Sequence, residues 1–343
     1  MSSIGVGIVG TGIMAKAHAK IVHEDPRTHI AGWVSRQSDP PGIDEFGPAP
    51  VYPTLEEMLG DESLAVVIVA TPDFAHREPS VAAARAGRHV LIEKPLAMSG
   101  ADAEAILTAV RQAGVQAMTL FNQRWTPAYW QAKQELARPD AGHPIMAYAR
   151  KNDTLYVPTG MISWADRSSP SWFLSSHDVD LVTWFFDAPA VEVFATAVER
   201  VLVGRGINTP DAVQAQVRFA NGAVATFESS WVVPEGYPAV VESFVEVITT
   251  KRHIHIDRKV EQLEVATPER MKYPRTGAAQ IAGRNIGPAA SAVRHFIDVV
   301  ADGVEPIIPL EHSVQVTWLL EAIEKSYRTG APVRVDAIKG AGS

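Results

Sequence analysis

The 343 residues are 46% hydrophobic and 20% charged, ordinary for a soluble globular protein, and they suit two hydrophobic cores better than one. A net charge of −8 with no lysine or arginine block argues against nucleic acid and anionic membrane as partners. The lack of cysteine excludes disulfides and thiolate chemistry, and the longest apolar runs, such as residues 65–70, have strand length rather than bilayer length. A cytoplasmic protein is expected.

The chain opens on an apolar strand at residues 5–9 that runs into Gly10-Thr11-Gly12-Ile13-Met14-Ala15, a Gly-x-Gly-x-x-Ala turn at the start of a helix. In such a turn the first glycine permits the tight bend and the second lets the backbone approach a pyrophosphate. The small third residue packs the helix on the sheet. Further strands are predicted at 29–35, 65–70, 89–92 and 116–121. Between them Thr54-Leu55-Glu56-Glu57 forms a capping box and Ser99 caps a helix over 101–113. Residues 38–53, rich in proline and glycine, read as a surface loop replacing the second crossover helix. This alternation predicts an α/β fold, a Rossmann doubly wound parallel sheet over residues 1–122.

From residue 123 to 343 the pattern changes. After a helix at 126–137, long strands are predicted at 145–156, 191–203, 212–219, 223–233, 243–256 and 259–265. Helices are expected at 175–186, 288–301 and 310–328. Strands in succession predict a C-terminal α+β domain with a large, mostly antiparallel sheet. The alternation Val213, Ala215, Val217, Phe219, with Val224 and Thr226 on the next strand, fits a second sheet face without strong charge, suited to a homodimer or homotetramer contact.

Several side chains carry chemistry. Lys94, in Glu93-Lys94-Pro95, follows the strand 89–92, so in a parallel sheet it stands at the ligand crevice beside the nicotinamide. A lysine there can take a hydroxyl proton or orient the substrate, or only bind the nicotinamide ribose. Thr71 and Pro72 follow the third strand and shape the cofactor wall. The second strand ends at Ser35-Arg36, where an acid would select NAD. A hydroxyl and a guanidinium favour the 2′-phosphate of NADP, though Arg36 could also stack on the adenine of NAD. Trp125, Trp164, Trp172 and Phe173 offer flat faces to carbohydrate C–H groups, or pack a core. Arg124 and Lys151 can bind hydroxyls or an anionic group, or form structural salt bridges. His177 and Asp180 lack a third metal ligand, so no metal is expected. His253 and His255 read as surface residues.

In order and spacing, the glycine turn, Ala70-Thr71-Pro72-Asp73 with His76, Ala86 through Ala97 with its Glu93-Lys94-Pro95, Asn122-x-Arg124-x-x-Pro127 and His177-Asp178-Val179-Asp180 resemble the glucose–fructose oxidoreductase/inositol dehydrogenase/rhizopine-catabolism (Gfo/Idh/MocA) family over most of the chain. The resemblance implies an NAD(P)-dependent dehydrogenase of sugars or cyclic polyols, with residues 123–343 as the substrate-binding and oligomerisation domain. It implies Lys94 and His177 as catalytic residues, and cofactor contacts from Gly10, Thr11, Gly12, Ile13, Met14, Ser35, Arg36, Thr71, Pro72, His76, Glu93, Lys94, Asn122 and Arg124. The substrate contacts it implies are Lys94, Trp125, Lys151, Trp164, Trp172, Phe173 and His177. Some relatives of this fold are glycosidases that retain the cofactor, which is the alternative activity; a non-catalytic regulator is a third reading. The sequence departs from the family where an aspartate four residues before the histidine is Phe173 and a glycine two before it is Ser175. Asp178 or Asp166 is expected to reach in instead.

Overall fold

The computed structural model describes residues 3–259, 263–274 and 279–339. In chain order the elements are β1 (Ile4–Val9), α1 (Ile13–Glu24), β2 (Thr28–Val34), β3 (Val51–Tyr52), α2 (Leu55–Leu59), β4 (Leu64–Val69), α3 (Arg77–Arg85), β5 (His89–Ile92), α4 (Gly100–Ala113) and β6 (Ala117–Thr119). Then come α5 (Pro127–Leu136), β7 (Pro144–Thr154), α6 (Ser176–Phe186), β8 (Ala190–Val198), β9 (Ala212–Phe219), β10 (Val224–Val233), β11 (Val241–Thr249) and β12 (His253–Asp257). Two short hairpins follow, β13 (Val265–Ala266) with β14 (Met271–Lys272) and β15 (Gln280–Ile281) with β16 (Arg284–Asn285). The chain closes with α7 (Pro288–Asp302), α8 (Leu310–Thr329), β17 (Val333–Arg334) and α9 (Val335–Lys339).

Two compact units result. The first is Met1–Trp125 with Ala278–Val314, and the second is Thr126–Gly277 with Gln315–Ser343. A single division after residue 122 therefore leaves out the returning segment that carries α7. Local pattern could not reveal this return, because ion pairs distant in sequence secure it. Arg27 bonds Asp25 and Asp298, and Glu24 accepts from Asn285 and Arg294.

The first unit holds a parallel six-stranded sheet in the order β3-β2-β1-β4-β5-β6. Its central strands are covered on both faces, which is why Val66, Val67, Ile68 and Val69, and again Val90, Leu91 and Ile92, are uninterrupted apolar runs with no exposed surface. The sheet order reverses between β1 and β4, and ligands of such sheets bind at that point, outside the carboxyl ends of the strands. Residues 38–53 are more ordered than a plain loop. Phe46, in a short 3-10 turn, meets the Trp33 ring at 5.9 Å, and Val51–Tyr52 adds the edge strand β3. Gly32 has no side chain because a Cβ there would stand 2.6 Å from the Tyr52 ring.

The second unit contains a seven-stranded sheet in the order β12-β11-β7-β10-β9-β8-β17, antiparallel except for the β7–β10 pair. Helix α6 packs on β7 and β10. Val213, Ala215, Val217 and Phe219 are buried, so they belong to the covered face rather than the open one. The open face carries Phe194, Gln214, Gln216, Arg218, Val224, Thr226 and Glu228, with an Arg150–Glu242 ion pair, and is more charged than expected.

Two long predicted strands are broken, and a third is described only in part. The one at 191–203 stops at Val198, because the Asp211 carboxylate accepts the backbone N–H groups of Arg200, Val201 and Leu202 at 2.7–2.8 Å and curls them into a turn. The one at 243–256 is the hairpin β11–β12, folded where the Thr249 hydroxyl oxygen accepts from the Lys251 and Arg252 N–H groups. Of the strand at 259–265, residues 260–262 lie outside the described residues, and Val265 pairs with Lys272 in the β13–β14 hairpin.

Candidate active site

The glycine turn owes its shape to close packing. Gly10 has φ of 108°, and a Cβ there would stand 2.6 Å from the Ala70 carbonyl oxygen. Gly12 begins α1, has open space where a Cβ would stand, and provides no side-chain cap. Thr11 is half-buried, while Ile13 is 70% exposed and Met14 also faces out. Uncapped N–H groups at a helix start, beside open space, form a cradle for an anion such as a dinucleotide pyrophosphate. These residues fit the group.

Three adjacent strands deliver the other candidates. The turn follows β1, Thr71 and Pro72 follow β4, and Lys94 follows β5, so all stand at carboxyl ends on the same edge of the sheet. Lys94 is half-buried and joined to Pro95 by a cis peptide bond. The Thr71 hydroxyl donates to the Ala75 carbonyl and closes a turn. At the end of β2 the Ser35 hydroxyl oxygen accepts the Gln37 N–H at 3.1 Å, and Arg36 is exposed.

Three expected cofactor contacts are placed differently. His76 is buried, with its two ring nitrogens 2.6 Å from the Pro95 carbonyl oxygen and 3.0 Å from that of Thr71. Glu93 is buried, and its carboxylate receives His18 Nε2 at 2.6 Å and the Lys94 N–H at 3.1 Å. Burial resists its ionisation, but the His18 hydrogen bond and the charges of His18, Lys94 and His76 prevail and hold the carboxyl below its usual range. Arg124 is only 1% exposed and donates to the Ile307 carbonyl at 3.0 Å. All three side chains are engaged by groups of the first unit. Asn122 begins the half-buried turn that ends at Trp125, whose ring meets His295 at 5.5 Å.

In the second unit, a π-helical turn, Ser171–Ser175, leads directly into α6, where His177 stands in the first turn, half-buried. Hydroxyls of Ser169 and Ser171 donate to Glu324 at 2.6 and 2.5 Å and tether this turn. Phe173 contacts Trp164 at 5.9 Å and Trp231 at 5.7 Å, beside an apolar cluster of Val157, Ala165, Leu174 and Leu202. An aromatic ring thus sits in a bed of rings and aliphatic chains. Trp172 is buried.

Neither expected substitute carboxylate reaches in. Asp166 is exposed in a short turn, and Asp178 is buried and bonded to Lys151 at 2.5 Å. Burial pushes the Asp178 carboxyl above its usual range against the pull of Lys151, and burial with the charge of Asp178 pushes the Tyr129 hydroxyl up to about 12. Lys151, predicted to contact substrate, is therefore one member of a buried ion pair. His253 pairs with Glu246 and the His255 ring packs on Phe244. Among the described residues no three acidic or histidine side chains cluster as metal ligands do, and no helix is long and apolar enough to cross a membrane.

Sequence reasoning passed over His18. A signal was present: His18 shares the buried stripe of α1 with Ala15, Ala19 and Val22, and an imidazole on an apolar stripe needs a polar partner from elsewhere.

A parallel sheet in this strand order, with a glycine turn at the switch point, defines a dinucleotide-binding enzyme of the Rossmann class. Two family models match the chain: an oxidoreductase family with an NAD-binding Rossmann fold over residues 4–121, and the GFO/IDH/MocA C-terminal domain over residues 129–255. The protein belongs to the GFO/IDH/MocA oxidoreductase family. It is 28% identical to the levoglucosan dehydrogenase of Pseudarthrobacter phenanthrenivorans, across 67% of this chain and 68% of that one. It is 25% identical to the scyllo-inositol 2-dehydrogenase (NAD(+)) of Bacillus subtilis, across 96% and 95%. Among solved structures, GenD2 from gentamicin A biosynthesis, in complex with NAD, superposes with a TM-score of 0.82 at 25% identity and 97% coverage of both chains.

Proposed function

We propose that this protein is an NAD(P)-dependent dehydrogenase that interconverts a hydroxyl and a carbonyl on a sugar or cyclic polyol. The observation that carries the reading is Lys94 at the end of β5, on the same sheet edge as the glycine turn after β1. The relatives named above, which are a levoglucosan and an inositol dehydrogenase, support the substrate class.

Gly10, Thr11, Gly12, Ile13 and Met14 would hold the pyrophosphate, and Thr71 and Pro72 the neighbouring wall. A bound nicotinamide supplies the hydride acceptor or donor. The chain's own part is proton handling. Lys94 Nζ takes the hydroxyl proton as the C–H bond breaks, and returns it in the reverse direction. The His177 ring is the chain's second candidate for orienting a substrate hydroxyl. Phe173 and Trp164 offer ring faces to C–H groups of the substrate.

The cofactor preferred in this reading is NADP, because Ser35 and the exposed Arg36 replace the acid that would repel a 2′-phosphate. A homo-oligomer formed through the open sheet face, where Phe194, Val198 and Val224 are exposed, completes the proposal. A spectrophotometric screen of sugars and polyols with NAD and NADP separately tests it. Net reduction of cofactor by a polyol or aldose supports the dehydrogenase. Glycoside cleavage without net reduction, or no turnover with any of them, rejects it.

A further inference from the structure

His18 and Glu93 are a pair that stability alone does not explain. His18 is fully buried and Glu93 nearly so, and the two meet at 2.6 Å across 75 residues of sequence. Removing an ionised carboxylate from water costs several kcal/mol, and well-packed apolar residues of similar volume commonly serve a core at least as well. A carboxylate only accepts hydrogen bonds, so Nε2 of His18 carries the proton of this contact. The other carboxylate oxygen accepts the backbone N–H of Lys94 at 3.1 Å. On the following residue, the Pro95 carbonyl faces His76 Nδ1 at 2.6 Å, while His76 Nε2 faces the Thr71 carbonyl. The Lys94-Pro95 backbone is thus gripped on both sides, from α1 through His18 and from the β4 strand end through His76.

We propose that His18 is a positioning residue for Lys94: through Glu93 it ties the helix that follows the glycine turn to the strand end that carries the lysine. The inference rests on the reading of Lys94 as the proton-handling group. It adds that the segment that would hold the cofactor and the residue that would handle the proton are registered by one buried hydrogen-bonded pair. Glutamine can place an amide N–H near the position of Nε2, so His18→Gln keeps the donor. His18→Met fills the space without one and leaves Glu93 half-satisfied.

The experiment measures kcat and KM for a turned-over polyol or sugar, the dinucleotide Kd by fluorescence, and the melting temperature. It is run on the full-length wild type, His18→Met, His18→Gln, Glu93→Leu and Lys94→Ala. Misplacing a reacting group by about 1 Å costs on the order of a hundredfold, so His18→Met is expected to lower kcat about 10- to 100-fold. Its dinucleotide Kd should stay within about threefold, and His18→Gln should recover kcat to within about fivefold of wild type. Wild-type kcat in folded His18→Met overturns the proposal. Equal losses in kcat and dinucleotide affinity, or failure of glutamine to rescue, assign His18 to helix packing and also overturn it. Should His18→Met not fold, Glu93→Leu decides, because an aliphatic side chain accepts neither hydrogen bond: lowered kcat with intact dinucleotide binding upholds the proposal and unchanged kcat overturns it. Lys94→Ala separates the two levels. If it retains turnover, the reading of Lys94 fails and this inference with it. If it loses turnover while the His18 variants do not, only this inference fails.

Discussion

Replacing Phe173 by aspartate restores the family's usual carboxylate, and the structure gives a reason to expect no gain from it. The ring makes two aromatic contacts, to Trp164 at 5.9 Å and Trp231 at 5.7 Å. Such pairs contribute about 0.5–1.5 kcal/mol each beyond area burial. The half-buried ring adds apolar burial of about 1 kcal/mol, half or less of the value for a fully buried side chain. Phe173→Asp should therefore lose about 2–4 kcal/mol, before any penalty for a carboxylate beside Val157, Ala165 and Leu174. Phe173→Leu keeps most of the apolar area and should lose about 1–3 kcal/mol. For a unit of this size each kcal/mol moves the melting temperature by about 2–4 °C. Thermal melts followed by tryptophan fluorescence, whose reporters include Trp164 and Trp231, measure both variants against wild type. Turnover on the enzyme's own substrate is measured in parallel and should not rise with aspartate. A Phe173→Asp protein as stable as wild type and faster in turnover would refute the reasoning, because the pocket would then accept the charge.

Lys94→Ala and His177→Ala should each lower turnover by about 10²- to 10⁴-fold while dinucleotide Kd changes little; near-wild-type turnover of both would remove the proton-handling assignment. Ser35→Asp should weaken NADP binding and spare NAD in paired titrations, since a carboxylate repels the 2′-phosphate, and an unchanged preference would mean that this strand end does not read it. Arg27→Met should destabilise by about 1–2 kcal/mol at pH 7, a value discounted for the partial exposure of the guanidinium. The Arg27 hydrogen bond, working against burial, holds the Asp25 carboxyl below its usual range. A depressed native pKa gives stability that is present above the unfolded value of about 3.9 and lost as pH falls through the native value. The difference between wild type and Arg27→Met should therefore shrink in melts below about pH 4, and a constant difference from pH 7 to pH 2 would reject this account.

Local chemistry in the sequence was enough for the glycine turn, because a φ of 108° at Gly10 suits glycine alone and the turn runs straight into a helix. It was enough for β4 and β5 as well, since a strand covered on both faces must be apolar without interruption. It also reached Lys94, whose position follows from the end of one such strand, and it reached the change to successive strands after α5. Tertiary structure alone decided what those residues touch. His18 meets Glu93 across 75 positions, Ser169 meets Glu324 across 155, and Arg27 meets Asp298 across 271. Each bond joins groups whose separation in sequence carries no periodic signal. The same holds for the early end of β8, imposed by Asp211 just before the next strand, and for Lys151, whose ammonium pairs with Asp178. Periodicity records which face of an element is apolar. Which polar groups meet is set only once the chain has closed, when a buried donor or acceptor must find its partner wherever the fold has brought one.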